Sequence, residues 1–566
     1  MRVDPFTVEI IRNALDSICE QMSSVIERTA YSTIIRDILD FSTALFDARG
    51  RIIAQSSRIP AHLNTMGPAL ETILARYIPI GDWHPGDVIV MNDPYHGGQH
   101  LPDIFVMMPV FHAGAPIAIA GCMGHQVDVG GRAAGSFGGD ATDIYQEGLR
   151  IPPVKLYEAG RPNRAVLDII ATNIREPHKT MGDINSQIAS LRVGERGLLD
   201  LVRRYSVERI GLAVEDLIDY SEARMRKRIA EIPDGAYAWE DVLDDDGIDE
   251  TPIPLRARMT IAGSDVTVDF TGTAPQVRGP INCMVGMTLG TVYYVMVAAL
   301  DPDIPKNYGC YRPIRVIAPE GTLVNPRPPA PVVGRMEVGH RIVDVLLGCL
   351  AQAVPDKVMA PFYGSTNHIT ISAEDVATGR TWVAFEIQPG GWGGRPALDG
   401  NDGWSAHMHN VQNVPVEVEE TTYPIRVERY ELIRDSGGAG RQRGGLGLRR
   451  DLRLLAPEAR LTIHCDRFRF VAPGMRGGGA GGAARCTINP DLPGAVGLTS
   501  KATNVALRAG DLVRFDSQGG GAFGHAAERD RQLIGRDVTL DKISAGAAHD
   551  AYGVSPGAGR DGPAGA

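Results

Sequence analysis

Glycine supplies 66 of the 566 residues, and in the last third it arrives in runs: Gly390-Gly391-Trp392-Gly393-Gly394, Ser436-Gly437-Gly438-Ala439-Gly440, Gly477 to Gly482, and Gly519-Gly520-Gly521. A residue without a Cβ pays the largest backbone entropy on folding, so such runs do not sustain helices and suit tight turns and loops. With 38 prolines in addition, the secondary structure is expected to be short, broken and mixed, with function on the connections. The chain is also longer than the size at which a single core keeps growing, which implies two or three lobes. The expected fold is mixed α/β (α+β) and multi-lobed. An N-terminal α/β region covers 1–235 and contains a helical segment. A middle α/β lobe covers 236–430, a β-rich, Gly-rich lobe covers 431–554, and a disordered tail of mostly Gly, Ala, Pro, Arg and Asp covers 555–566.

Charge removes one class of partner. Lys and Arg total 57 against 68 Asp and Glu, a net −11 with no basic stripe, so nucleic acid is not an expected ligand. The seven cysteines are scattered, with no Cys-x-x-Cys pair, which fits a reducing compartment rather than a disulfide framework or a zinc ribbon. The start, MRVDPFTVEI, is interrupted by Asp4, Pro5 and Glu9 and lacks the apolar core of a secretory signal, so a cytoplasmic location is expected. Ile281 to Leu300 carries no charge, and a run of about 20 such residues is long enough to span a bilayer. Gly286, Gly290, Asn282 and the flanking Pro280 and Asp301-Pro302 favour a buried core helix instead.

Periodicity places the rest. Ile10, Ala14, Ile18, Met22, Val25 and Ile26 mark a helix from about Thr7 to Thr29. Thr43 to Asp47 alternates as a strand and puts Asp40 near its start, and Val88 to Met91 reads as a buried strand. A strand pair over Ile104–Val110 and Pro116–Met123 follows, then a helical stretch from Asn185 to Ile232 ending at the break Asp234-Gly235. Strands are expected within Leu255 to Thr273, and a second apolar helix over Val338 to Ala353.

These strand ends gather the chemistry. His100-x-x-Asp103 and His125 follow two strands, with Asp40 upstream. Imidazole and carboxylate together suit a borderline divalent ion, Zn²⁺, Mn²⁺ or Fe²⁺, better than Ca²⁺. Such an ion activates water and polarises a carbonyl, which an unreactive amide requires. The same residue types beside Gly and Pro also cap turns, and spacing alone does not choose between the two readings.

Other patterns narrow the field. No Lys follows a Gly, so no phosphate loop is present, and neither H-E-x-x-H nor G-x-S-x-G occurs. Gly477 to Gly482 matches G-x-G-x-x-G in form, but a strand-like segment follows where a dinucleotide site needs a helix. Cys122, three residues before His125, reads as a buried small side chain rather than a ligand or nucleophile. Glu386, Arg335, Glu337, His340, His407 and His409 lie near Gly-rich loops and read individually as hydrogen-bonded polar residues.

The chain resembles the hydantoinase B / oxoprolinase family from end to end. The resemblance is carried by Asp40-Phe41-Ser42, Asn92-Asp93-Pro94-Tyr95, His100-x-x-Asp103, Gly124-His125, the run Asp143 to Pro153, Asn413 to Glu417, Arg426 to Tyr430 and Tyr552-Gly553-Val554. It implies metal ligands at His100, Asp103 and His125, with Asp40 a further ligand or close neighbour, all four being the implied catalytic residues. It also implies a hydantoinase A type partner that uses ATP to phosphorylate a cyclic amide (hydantoin, 5-oxoproline or lactam), in a hetero-oligomer such as A2B2. The ion is expected to be Zn or Mn, or else Fe. Asp128 and Glu147 are candidates for moving protons. An acetone or acetophenone carboxylase subunit and a non-catalytic scaffold for the ATPase are the rival readings.

Overall fold

A computed structural model describes residues 2–375 and 378–554; the expected tail at 555–566 lies outside the described residues. The first helix, Pro5–Thr29, is capped by Asp4, whose carboxylate accepts the Thr7 N–H, with a proline in the first turn where no donor is lost. It buries Val8, Ile11, Leu15, Ile18, Met22 and Ile26. Ile10, placed by the periodicity on the apolar face, is 53% exposed, because its neighbour Ile11 takes the inward position.

That helix and the long helix Pro177–Tyr205 lie together on the first sheet. Its strands are β1 (Phe41–Asp47), β2 (Ile52–Gln55), β3 (Val88–Met91), β4 (Asp103–His112), β5 (Ala115–His125), β6 (Val154–Glu158) and β7 (Arg161–Pro162), in the order β2-β1-β5-β4-β3-β6-β7. The β4–β5 hairpin pairs Asp103 with His125, and β1 pairs Phe41 with Gly124. Antiparallel register thus brings the start of β1, the start of β4 and the end of β5 to one end of the sheet. The expected helical stretch is two helices, Pro177–Tyr205 and Val207–Ile229, broken at Ser206, whose φ is 64°.

In the second sheet, β8 (Gly235–Leu243), β9 (Ile253–Ala262), β10 (Asp265–Asp269) and β11 (Ile314–Ile317) run in the order β11-β10-β9-β8. The uncharged helix Val285–Leu300 is an interior element: it packs against helices Pro60–Arg76 and Arg335–Ala351. No helix among the described residues is long and apolar enough to cross a membrane. Every residue of Arg335–Ala351 is buried, so even its polar side chains must find partners or a function.

Beyond this lie two further sheets. In one, His368–Asp375 pairs with Arg380–Ile387 and, across residue 430, with Glu458–His464. The glycine runs are where the fold departs most from expectation. They are not mainly turns but close-packed extended segments bonded backbone to backbone: Gly445 N donates to Trp392 O (2.7 Å), Gly520 N to Gly445 O (3.0 Å) and Gly482 N to Ser436 O (2.7 Å). A Cβ added at Gly519 would stand 1.7 Å from Ser436 O, and one at Gly445 would stand 1.9 Å from Asn401 O. Glycine is required there for the approach of two backbones. As expected, Gly477–Gly482 leads into a strand, Arg485–Ile488, and offers no helix N-terminus to a phosphate.

Candidate metal centre

His100, Asp103 and His125 converge at that sheet end, each offering a ligand atom within 4.8 Å of the others, all three buried. Asp103 Oδ1 is the common point, 3.1 Å from His100 Nε2 and 3.3 Å from His125 Nδ1. Asp40 stands one step out. Its Oδ2 is 4.0 Å from His125 Nδ1, and it is not one of the three converging residues.

A fourth imidazole belongs to the same cavity. His62, in the first turn of helix Pro60–Arg76, places Nε2 3.4 Å from Asp40 Oδ1 and 3.7 Å from Asp103 Oδ1. Nothing in the sequence around His62 marks it, since a histidine on the buried face of an amphipathic helix looks like core. Arg335 and His409, read individually as ordinary polar residues, also line the cavity. Arg335 donates to Asp103 Oδ2 at 2.6 Å and to Gln99 Oε1 at 3.2 Å. The remaining candidates do not join it. Cys122 is sealed in the core with its thiol pushed up to about 12 by burial. Glu386 pairs with Arg450, His407 bonds the Tyr294 hydroxyl, and Glu337 accepts the Thr366 N–H. Asp128 is consumed in closing its own loop, accepting from Gly130 N, Gly135 N and Arg175.

Electrostatics puts His100 and Asp103 in the state a cation needs. Burial, reinforced by the Arg335 charge, pushes the His100 imidazole down to about 3, so it is neutral at pH 7. Burial alone would raise the Asp103 carboxyl, but the opposing charge of its neighbours, Arg335 being the standing one at neutral pH, holds it well below 3.8. His100 Nδ1 lies 3.1 Å from Val333 O, an oxygen that only accepts, so the proton sits on Nδ1 and Nε2 keeps its lone pair. His62 Nδ1, His100 Nε2, His125 Nε2 and His409 Nδ1 are all buried without a hydrogen-bond partner. Of these, His100 Nε2 faces Asp103, 3.1 Å from its Oδ1; a buried lone pair there is costly unless something else satisfies it, and beside an ionised carboxylate it fits a divalent ion.

The His100 tautomer has its own support. Glu147 Oε1 accepts both the Val332 and the Val333 N–H, at 2.7 and 2.8 Å, anchoring the residue whose carbonyl faces His100. Such outer partners are typically worth about 10–100-fold in metal affinity. Glu147→Leu is therefore expected to lower divalent-ion affinity by about that factor, while Glu147→Gln, which keeps an accepting oxygen, stays within about threefold; isothermal titration with Co²⁺ checks this. Burial raises the Glu147 carboxyl to about 8 from 4.5. Its contribution is therefore complete below pH 4.5 and lost as pH climbs to about 8, and the Gln variant should gain on wild type across that window in urea melts.

Residues 4–526 match the family model described as Hydantoinase B/oxoprolinase. The chain belongs to the hydantoinase B/oxoprolinase family. Among relatives of this hydantoinase B/oxoprolinase chain, the caprolactamase subunit beta of Pseudomonas jessenii is 31% identical over 568 residues, covering 98% of this chain and 96% of that protein. The crystal structure of an ATP-dependent caprolactamase from Pseudomonas jessenii superposes with a TM-score of 0.91 at 29% identity, over 98% of this chain and 97% of that one. An acetone carboxylase nucleotide-free structure superposes with a TM-score of 0.90 over 97% of this chain and 80% of that one, but at 19% identity it shows a shared fold alone.

Proposed function

We propose that this chain is the metal-binding subunit of an ATP-dependent cyclic amide hydrolase. It works in a cytoplasmic hetero-oligomer with a hydantoinase A type ATPase and completes hydrolysis of a ring whose carbonyl oxygen the partner has phosphorylated. The observation that carries this reading is the buried convergence of His100, Asp103 and His125, with the unpartnered His100 Nε2 3.1 Å from Asp103 Oδ1. The free, buried cysteines support a reducing compartment.

His100, Asp103 and His125 would hold the ion, Zn or Mn in first place and Fe next, with Asp40 and His62 at its border. A bound divalent ion supplies Lewis acidity toward the carbonyl and lowers the pKa of water. The protein does the rest. Arg335 keeps Asp103 ionised in a buried site, Val333 O fixes which nitrogen of His100 is free, and the enclosing residues exclude bulk solvent, which strengthens each of these interactions. A pure scaffold has no use for two buried imidazoles converging on a buried carboxylate.

The test is co-purification with the hydantoinase A type subunit, followed by ATP hydrolysis measured with hydantoin, 5-oxoproline, caprolactam, or acetone plus bicarbonate. Ring opening coupled to ATP hydrolysis and abolished by His100→Ala is the expected result. Bicarbonate-dependent carboxylation of the ketone would make the chain a carboxylase subunit, and full turnover by His100→Ala would overturn the site.

A further inference from the structure

The cavity at the metal centre has a volume of about 30 Å³, room for a few waters at roughly 10–15 Å³ each and none for a five- to seven-membered ring. Beside it lies a far larger cleft of about 670 Å³, within the range that holds whole small-molecule ligands. The two share a wall. Ile59, Ala61 and His62 face the small cavity, while Pro60, Leu63 and Asn64, from the same stretch of backbone, face the cleft. His409 and Asn410 divide in the same way, the first to the metal centre and the second to the cleft. One thickness of chain therefore separates the cleft from the ligands.

We propose that this cleft is the docking site where the neutral cyclic amide awaits phosphorylation by the partner, and that the 408–410 side of the shared wall yields to admit the activated ring to the metal centre. The inference rests on the function proposed above. The cleft's chemistry suits such a ring: the stacked pair Tyr293 and Tyr311, 4.3 Å apart, and the apolar Leu63 and Val297 offer flat, apolar surface, while Arg12, Arg58 and Lys306 at its walls can bond the ring's carbonyl oxygen. The rim is open, with Ser57 and Ala298 exposed.

Residues 57–61 are tied firmly into the N-terminal region, with Ser57 N donating to Glu20, Arg58 to Ser23 and Glu27, Ile59 N to Ser42 Oγ and the Gln99 amide to Ala61 O, and the 408–410 segment is bonded across to them. Ala61 N donates to Met408 O at 3.1 Å, and the Asn410 carboxamide donates to Arg58 O at 3.1 Å. On either side of His409 the backbone is left-handed, with φ 69° at Met408 and 50° at Asn410. Asn tolerates that conformation and Met does not, so the segment is held closed against a local preference to relax. Asn410 is the latch, and it carries no role at the reacting atoms.

Two variants separate docking from passage. Ala298→Trp, at an exposed helix position on the rim between the cleft and the pocket lined by Val343 and Met359, places its ring over the docking site and is expected to weaken caprolactam and hydantoin binding about tenfold or more, read by ligand-observed NMR. Asn410→Ala releases the latch and is expected to speed removal of Co²⁺ by a chelator about tenfold at unchanged cobalt stoichiometry. Wild-type ring affinity in Ala298→Trp, or no saturable binding of either ring to the unmodified protein, would overturn the docking site. Wild-type cobalt release in Asn410→Ala would overturn the latch. A protein that takes up no cobalt at all would instead sink the metal reading, and the NMR measurement would still decide the cleft.

Discussion

Asp103→Ala is expected to cost the metal-free protein about 3–5 kcal/mol of stability and to abolish its divalent-ion binding. Asp103 is fully buried, and its Oδ2 takes the 2.6 Å hydrogen bond from Arg335, itself 3% exposed. Removing the carboxylate leaves a guanidinium in the interior with Gln99 as its remaining hydrogen-bond partner among the described residues. The penalty comes from that stranded charge more than from the lost pair. A second substitution tells the two apart: Asp103→Leu with Arg335→Met removes both charges and should recover most of the stability without recovering the ion. Urea unfolding and metal analysis of the single and double variants check both halves. The pH dependence has a definite sign. Because the folded-state carboxyl lies well below 3.8, its contribution is present above pH 3.8 and lost as pH falls, so wild type and Asp103→Ala should converge in acid.

A comparable loss is expected far from the chemistry. Gly519→Ala places a Cβ 1.7 Å from Ser436 O and 2.5 Å from Ser436 C. Overpacking commonly costs about 1–3 kcal/mol and more when the surroundings cannot yield. Here the obstacle is backbone whose own neighbours are tied, since Gly482 N donates to Ser436 O and Gly519 N to Gly482 O. A loss of about 3 kcal/mol or more in urea unfolding is therefore expected. Gly211 is the control: it sits in helix Val207–Ile229, its added Cβ would meet nothing within 4 Å, and Gly211→Ala should gain about 0.5–1 kcal/mol from helix propensity. If Gly519→Ala unfolds like wild type, the interlocked packing of the glycine segments is wrong.

The glycines also show where reading a sequence stops. Their number signalled something unusual, but the local rule for glycine is a turn, and interlocking requires knowing that segments near 391, 445, 482 and 520 become neighbours. The N-terminal elements were legible because each announces itself locally: the capped helix from Pro5, the apolar run of β3 and the hairpin β4–β5. Antiparallel pairing then made the convergence of Asp103 and His125 a consequence of register. His62, Arg335 and His409 come from other parts of the chain and approach the site only in three dimensions, so no spacing reveals them. Likewise, the pairing of His368–Asp375 with Glu458–His464 joins segments about ninety residues apart, and no alternation within either strand specifies its partner.

The central claim, that His100, Asp103 and His125 hold a divalent ion, is tested most directly by elemental analysis of the purified protein beside its His100→Ala variant. A stoichiometric divalent metal in wild type, lost in His100→Ala while the fold is retained by circular dichroism, is the predicted result. Metal absent from wild type after loading with Zn²⁺ or Mn²⁺, or retained in full by the variant, would contradict it.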